Sequence, residues 1–149
     1  MNIFIDTEFN GFNGELLSMG LIADDGQFFY EWLEFDNDYR PWVKENVAPH
    51  LAVPLEAFAV QQDAVPMDEF QAKLESFLNQ YNHITLIADW PDDIKYFCEA
   101  VITGPGTRIL LPKISFILDL DLEAGQHSYI QHHAGFDAVA NQYIYNSGQ

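Results

Sequence analysis

Residues 3–9 read Ile3-Phe4-Ile5-Asp6-Thr7-Glu8-Phe9, and the fold turns on how they are read. Three bulky apolar residues in succession fit a strand buried on both faces. Two carboxylates follow, one residue apart. Side chains alternate along a strand, so Asp6 and Glu8 point to the same side. Adjacent anions taken out of water repel each other and are costly to desolvate. A divalent cation is the usual compensation, and hard oxygen ligands suit Mg²⁺ or Mn²⁺. Asp121-Leu122-Glu123 repeats the spacing. It follows Asp119 and the apolar run 116–118, so it reads as a polar loop closing a strand.

Working outward, residues 2–8 form the first predicted strand, Leu16–Ala23 a second and Gln27–Phe35 a third. Asp24-Asp25-Gly26 is turn chemistry and predicts an antiparallel hairpin between strands two and three. Gly11-Phe12-Asn13-Gly14 is an earlier turn, which makes strands one and two antiparallel as well. Pro41–Val47 predicts a short helix with Pro in its first turn. Residues 36–66 mix acids, Pro and small helical pieces, and the stretch around Pro49 and Pro54 is where mobility is expected. Phe70, Leu74, Phe77, Leu78 and Tyr81 recur at helical spacing and predict an amphipathic helix over 67–81. A short buried strand over 84–88 and a helix over 92–101 follow. After the break at Gly104-Pro105-Gly106 comes a strand over 109–118, bent at Pro112. Residues 132–145 run from a loop into a closing helix. Three antiparallel strands followed by alternating helix and strand give a mixed α/β layered fold.

The 149 residues suit one domain spanning 1–149. Apolar residues make up 48% and aromatics 15%, which excludes a disordered chain. No apolar stretch has the length of a membrane span, and no basic segment with an apolar core opens the chain. Cys98 is the one cysteine. It is expected to be a small buried apolar residue, and a cytoplasmic location follows. The net charge is −17, with Arg40, Lys44, Lys73, Lys95, Arg108 and Lys113 as the cations. That argues against a sequence-independent duplex-binding protein, which carries a basic stripe. It leaves room for a nucleic-acid enzyme, because distant charges are screened beyond about 8 Å and two divalent ions would supply about four positive charges at the phosphate. Short or single-stranded substrates are favoured.

Two further segments hold candidate ligands. In Ala88-Asp89-Trp90-Pro91-Asp92-Asp93 a buried strand runs into a helix start carrying several acids. Helix capping and dipole compensation explain one or two of them. In His132-His133-Ala134-Gly135-Phe136-Asp137-Ala138 an acid sits five residues after a histidine, and the small residues at 138 and 140 allow close helix approach. Imidazole titrates near neutrality, as a general base requires. Zinc is disfavoured, because His127, His132 and His133 have no cysteine partner and no common zinc spacing.

Taken together these segments resemble the DEDDh branch of the 3′–5′ exonucleases, within the ribonuclease H-like superfamily. Phe4-Ile5-Asp6-Thr7-Glu8-Phe9 matches the family's first motif, and His132 through Asp137-Ala138 its third, His-x-x-x-x-Asp-Ala. The tyrosine branch places its tyrosine four residues before the last Asp, where this chain has His133. The second motif is matched more loosely by Asp93, with Tyr96 and Phe97 after it and Asp89 where such families often have Asn. The Asp-Thr-Glu-Phe start, Leu17–Ile22 and Ala88-Asp89-Trp90 are similar to the small single-domain exoribonucleases typified in mycobacteria.

The resemblance implies a ribonuclease H-like mixed sheet flanked by helices. It also implies that Asp6, Glu8, Asp93 and Asp137 hold two Mg²⁺ or Mn²⁺ ions, with Asp89 and Asp92 as alternatives to Asp93. His132 is the implied base. In a continuous helix His133, not His132, would share a face with Asp137, so His132 must lie in the loop before the helix. Thr7, Phe9 and Asn10 would seat the terminal nucleotide, with Phe9 stacking on a base and Trp90 a second candidate for that contact. The expected reaction releases nucleoside 5′-monophosphates from a 3′ end, with RNA favoured over DNA and a homodimer compatible. Other readings are a DNA exonuclease or another phosphodiesterase on the same fold, a silent nucleic-acid or protein-binding module, and an acidic cation buffer.

Overall fold

The computed structural model describes residues 1–56 and 61–148. Five strands form one sheet in the order β3-β2-β1-β4-β7: β1 (Asn2–Phe9), β2 (Leu16–Ala23), β3 (Phe28–Trp32), β4 (His83–Ala88) and β7 (Lys113–Leu118). The β1–β2 and β2–β3 pairs are antiparallel, and β1–β4 and β4–β7 are parallel. The helices are α1 (Pro41–Asn46), α2 (Met67–Leu78), α3 (Pro91–Ala100) and α4 (Ala134–Ser147). A small hairpin, β5 (Ile102–Gly104) and β6 (Thr107–Arg108), forms at the predicted Gly-Pro-Gly break.

The opening stretch sits at the centre of this sheet. Ile3 and Ile5 pack on one face with Phe70 and Leu74 of α2 and Phe97 of α3. Phe4 faces the other way, against Ile22, Ile87 and Ala138 of α4, and its ring meets Tyr145 edge-on at 5.3 Å. Each such side chain contributes about 1.5–3 kcal/mol on burial. Alternation then sends Asp6 and Glu8 to the α4 side and Thr7 to the α3 side. A register shift between Glu8 and Phe9 ends regular pairing beside the carboxylates. The β2–β3 turn closes as its residues require: Gly26 has φ +88°, and the Asp25 carboxylate accepts a bond from Gln27 N at 3.0 Å.

Several expectations are corrected. The last strand begins at Lys113, not at Ile109, and Pro112, which has no N–H for a ladder, stands just before it. β3 stops at Trp32, short of Phe35. α2 stops at Leu78, and Tyr81 packs from the following turn. Cys98 is exposed, on the solvent side of α3, not buried. Asp119 and Asp121 form the expected polar turn, with Asp119 accepting from Asp121 N at 3.1 Å. In the 36–66 segment, residues 57–60 lie outside the described residues.

Candidate active site

α4 reaches the sheet at Gly20 of β2. A Cβ there would lie 2.5 Å from the carbonyl carbon and oxygen of Ala134 and from Gly135 N. The missing side chain lets the first turn of α4 rest on the strand next to β1, where Gly20 pairs with Asp6. Asp137 of that turn thereby reaches the β1 carboxylates. Oxygens of Asp6, Glu8 and Asp137 lie within 4.8 Å of one another.

A second triad forms at the end of β4. Oxygens of Asp6, Asp89 and Asp93 also lie within 4.8 Å of one another, so Asp6 belongs to both groups. The Asp93 carboxylate, on a residue only 2% exposed, accepts from Thr7 N at 2.9 Å and Thr7 Oγ1 at 2.6 Å. It is therefore held to β1 instead of capping its own helix. Asp92 bonds the Trp90 indole N–H at 3.1 Å and lies outside the cleft lining.

The electrostatics of this cluster are unfavourable for bare carboxylates. Burial, then the negative charges of Asp93, Glu8, Asp137 and Asp89, hold the Asp6 carboxyl well above its ordinary range. Burial and the charges of Asp137 and Asp93 do the same to Glu8. Burial pushes Asp93 up to about 8 against the downward pull of the Thr7 donors, and Asp137 up to about 6. Burial also raises Asp89. Among the described residues the ion pairs join Lys73 to Glu31 and Glu69, and none reaches these acids. Buried Asp6 Oδ2, Asp93 Oδ2 and Asp137 Oδ1 have no hydrogen-bond partner. An all-oxygen donor set with orphaned lone pairs and excess negative charge fits hard divalent cations.

The adjacent histidines have separate placements. His132 precedes α4 with φ +63°, a conformation uncommon for a residue with a side chain. It lines the cleft, its N–H donates to Asp137 Oδ2 at 3.1 Å, and its ring meets Trp42 edge-on at 4.9 Å. His133 is buried and caps α4: its Nδ1 accepts from Phe136 N at 3.3 Å. Its Nε2 lies 2.6 Å from Val53 O, so the proton sits on Nε2, and its ring stacks on Tyr30 at 4.3 Å. Burial pulls the His133 imidazole below its usual range.

The cleft holds about 530 Å³ and is lined by the carboxylates, Thr7, Phe9, Gly11, Val43, His132 and three aromatics. These are Phe12, Trp42 and Trp90, which remain 80%, 57% and 59% exposed. Phe12 and Trp42 carried no functional expectation; an exposed aromatic is recognisable only once its burial is known. Phe9 stacks on Tyr96 at 4.6 Å and still borders the cleft. Asn10 is placed differently. It is buried, and its amide donates to Asp38 O at 3.3 Å and accepts from Arg40 N at 2.8 Å, tying down the chain before α1. A larger depression between β3 and α2 gathers none of the predicted site residues.

Fold and cleft together define a mixed α/β protein with a buried carboxylate cluster suited to divalent cations. No family model matches the chain. It is similar to two proteins of Mycobacterium tuberculosis, the 3′-5′ exoribonuclease Rv2179c of strain ATCC 25618 / H37Rv and the 3′-5′ exoribonuclease MT2234.1 of strain CDC 1551 / Oshkosh. Each is 32% identical over 103 residues, a match covering 60% of this chain and 61% of the relative. The chain thus spans about six-tenths of the length of the curated relatives it matches.

Proposed function

We propose that this chain is a metal-dependent 3′–5′ exoribonuclease of the DEDDh type on a ribonuclease H-like fold, releasing nucleoside 5′-monophosphates from short or single-stranded RNA. The observation that carries the reading is the pair of carboxylate triads sharing Asp6. The strand order and the relatives named exoribonucleases support it. Asp6, Glu8 and Asp137 would hold one Mg²⁺ or Mn²⁺, and Asp6, Asp93 and Asp89 the other. Such ions supply an activated water and charge stabilisation at the departing oxygen. His132, in the loop at the cleft, takes the proton of the attacking water. Asp137 orients that loop through the His132 N–H. Thr7 fixes Asp93, and Phe9 together with the exposed aromatics offers faces for bases. The acidic surface disfavours long duplexes, which are gripped by basic residues. The cytoplasmic setting expected from composition completes the proposal.

The test is incubation of a 5′-labelled single-stranded RNA 12-mer and its DNA counterpart with Mn²⁺, beside Asp6→Asn. A ladder receding from the RNA 3′ end and absent in the variant is the expected result. An equal DNA ladder changes the substrate and keeps the chemistry. No product from either nucleic acid, in Mg²⁺ or Mn²⁺, overturns the enzyme reading in favour of a binding module.

A further inference from the structure

Asn141, in the middle of α4, is 0% exposed, and among the described residues neither its Nδ2 nor its Oδ1 has a hydrogen-bond partner. A buried primary amide has given up its water, and without partners it recovers nothing in exchange. An apolar side chain would fill the same place in the core at no such cost. Buried polar groups left unsatisfied in a folded protein call for an explanation, and service to a site is one of the few available.

The position of Asn141 follows from its neighbours. It shares a helix face with Asp137, four residues earlier. Ala138, on the same side of α4, packs against Phe4 and Ile87. Ile87 therefore turns to the α4 side of β4, and alternation continued past the strand end sends Asp89 the same way. Phe4 pairs with Ile87 across the parallel strands, which sets Asp6 and Asp89 level with each other, as their shared triad with Asp93 requires. α4 thus passes over both triads, with Asp137 at Asp6 and Glu8 and Asn141 at Asp89. The approach is felt by the carboxyl: burial raises Asp89, and the Asn141 amide is foremost among the groups that pull it back down. An ionised carboxylate offers only acceptors, so Nδ2 is the end of the amide that faces it.

We propose that Asn141 is a positioning residue for Asp89, its Nδ2 donating to the Asp89 carboxylate in the metal-loaded cleft and fixing that ligand as Thr7 fixes Asp93. The inference rests on the metal reading of the cleft given above. Carboxylates that hold a metal are themselves held by hydrogen bonds from outside the ligand set. Thr7 does this for Asp93 with two bonds, and the His132 N–H does it for Asp137. Asp89 lies one residue past the end of β4 and takes its support from α4. A neutral amide suits the task, because it orients a carboxylate without cancelling the negative charge that attracts the ion, as Lys or Arg would. The unpartnered amide is then a burden on the metal-free chain that is relieved when the triad is loaded.

The test is Mn²⁺ calorimetry and thermal melting of the full chain with Asn141→Leu, Asn141→Ala, Asp89→Asn and the double variant Asn141→Leu/Asp89→Asn. Asn141→Leu keeps the branching of the side chain and removes its polarity. Its Tm in EDTA should hold or rise, while Mn²⁺ affinity should fall about tenfold or more. Asn141→Ala should lose the same affinity with a lower Tm, because it also leaves a cavity. In the Asp89→Asn background, Asn141→Leu should change Mn²⁺ affinity no further, since the amide acts through that carboxylate. An amide with a purely structural role would do the reverse, lowering Tm in EDTA and leaving Mn²⁺ affinity alone, and that result overturns the proposal. So does an undiminished effect of Asn141→Leu in the Asp89→Asn background. A chain that binds no Mn²⁺ overturns the cleft reading and this inference together, whereas Mn²⁺ binding unmoved by Asn141→Leu and Asn141→Ala overturns this inference alone.

Discussion

Replacing Gly20 by Ala should damage the cleft from a position that contributes no functional group to it. The added Cβ would lie 2.5 Å from Ala134 C and O and from Gly135 N. Ordinary contacts of this kind are about 3.5 Å or more, so the overlap is about 1 Å. The obstructing atoms are backbone, so no side chain can swing aside, and the first turn of α4 must retreat by a similar distance. Overpacking of this kind costs about 1–3 kcal/mol, equivalent to roughly 3–10 °C in Tm for a domain of this size. The retreat carries Asp137 away from Asp6 and Glu8 and moves His132, which Asp137 holds through its N–H. A displacement near 1 Å in a reacting constellation costs about 10²-fold in rate. Turnover of labelled RNA at 25 °C, where the variant remains folded, should fall by that order. Mn²⁺ should also bind more weakly by calorimetry. A variant that loses thermal stability but keeps full turnover and Mn²⁺ affinity would refute the link between helix approach and cleft geometry.

The two histidines should separate cleanly. His132→Ala is expected to lower turnover about 10²–10⁴-fold with little change in Tm. His133→Ala should cost about 1–2 kcal/mol of stability through the lost cap while the folded fraction keeps its rate. Denaturant melts beside single-turnover kinetics decide it. For pH, the native carboxyls of Asp93 and Asp137, at about 8 and about 6, exceed their unfolded value of about 3.9. The native state thus binds more protons than the unfolded chain, and metal-free stability falls as pH rises from about 4 to about 8. Thermal melts in EDTA should show this decline, and Mn²⁺ should raise Tm more at pH 8 than at pH 6. Trp42→Ala, removing an exposed ring at the cleft, should raise KM for RNA by about tenfold or more with kcat retained, as expected for a lost stacking face. An unchanged KM would remove Trp42 from the substrate path.

Elements set by local pattern were legible in the sequence. β2 spans Leu16–Ala23 as the apolar run and its flanking turns predict, α3 starts at Pro91, one residue before the expected Asp92, and α4 starts at Ala134 inside the loop-to-helix segment expected over 132–145. The acids of β1 are equally legible, because strand alternation alone sets Asp6 beside Glu8. What escaped depends on pairing between distant segments. The use of Gly20 appears only when β2 and α4 are superposed. The Thr7 bonds to Asp93 require knowing that β1 and α3 meet. Asp89 reads from sequence as an alternative to Asp93, whereas the fold sets the oxygens of both beside those of Asp6. Asn10 follows the first acidic pair closely enough to suggest substrate contact, yet its amide is committed to Asp38 and Arg40. Cys98 follows the helical period but falls on the outward face, a phase that no single residue type reveals.

The acidity of the chain and the chemistry proposed for it have one physical explanation. A protein that grips long nucleic acid through phosphates needs many cationic contacts, and its affinity falls steeply with salt. Here the cations beside the cleft are engaged with the protein itself: the Arg40 guanidinium donates to Phe12 O at 3.2 Å and its stem lies against Gly11, and Lys95 donates to Asn13 Oδ1 at 3.2 Å and lies over the Tyr96 ring. On the proposed reading the remaining attraction for a phosphate would come from ions held by the carboxylate cluster, and it would be strong only within a few ångströms of them. Base stacking on the exposed rings of Phe12, Trp42 and Trp90 would supply the rest and would need unpaired bases. On the proposed reading such a cleft would engage a strand end whose last nucleotides are free to splay, and the negative surface beyond it would repel a continuing duplex. The same charge that excludes a general nucleic-acid binder therefore becomes, on the proposed reading, a selection for short single-stranded ends.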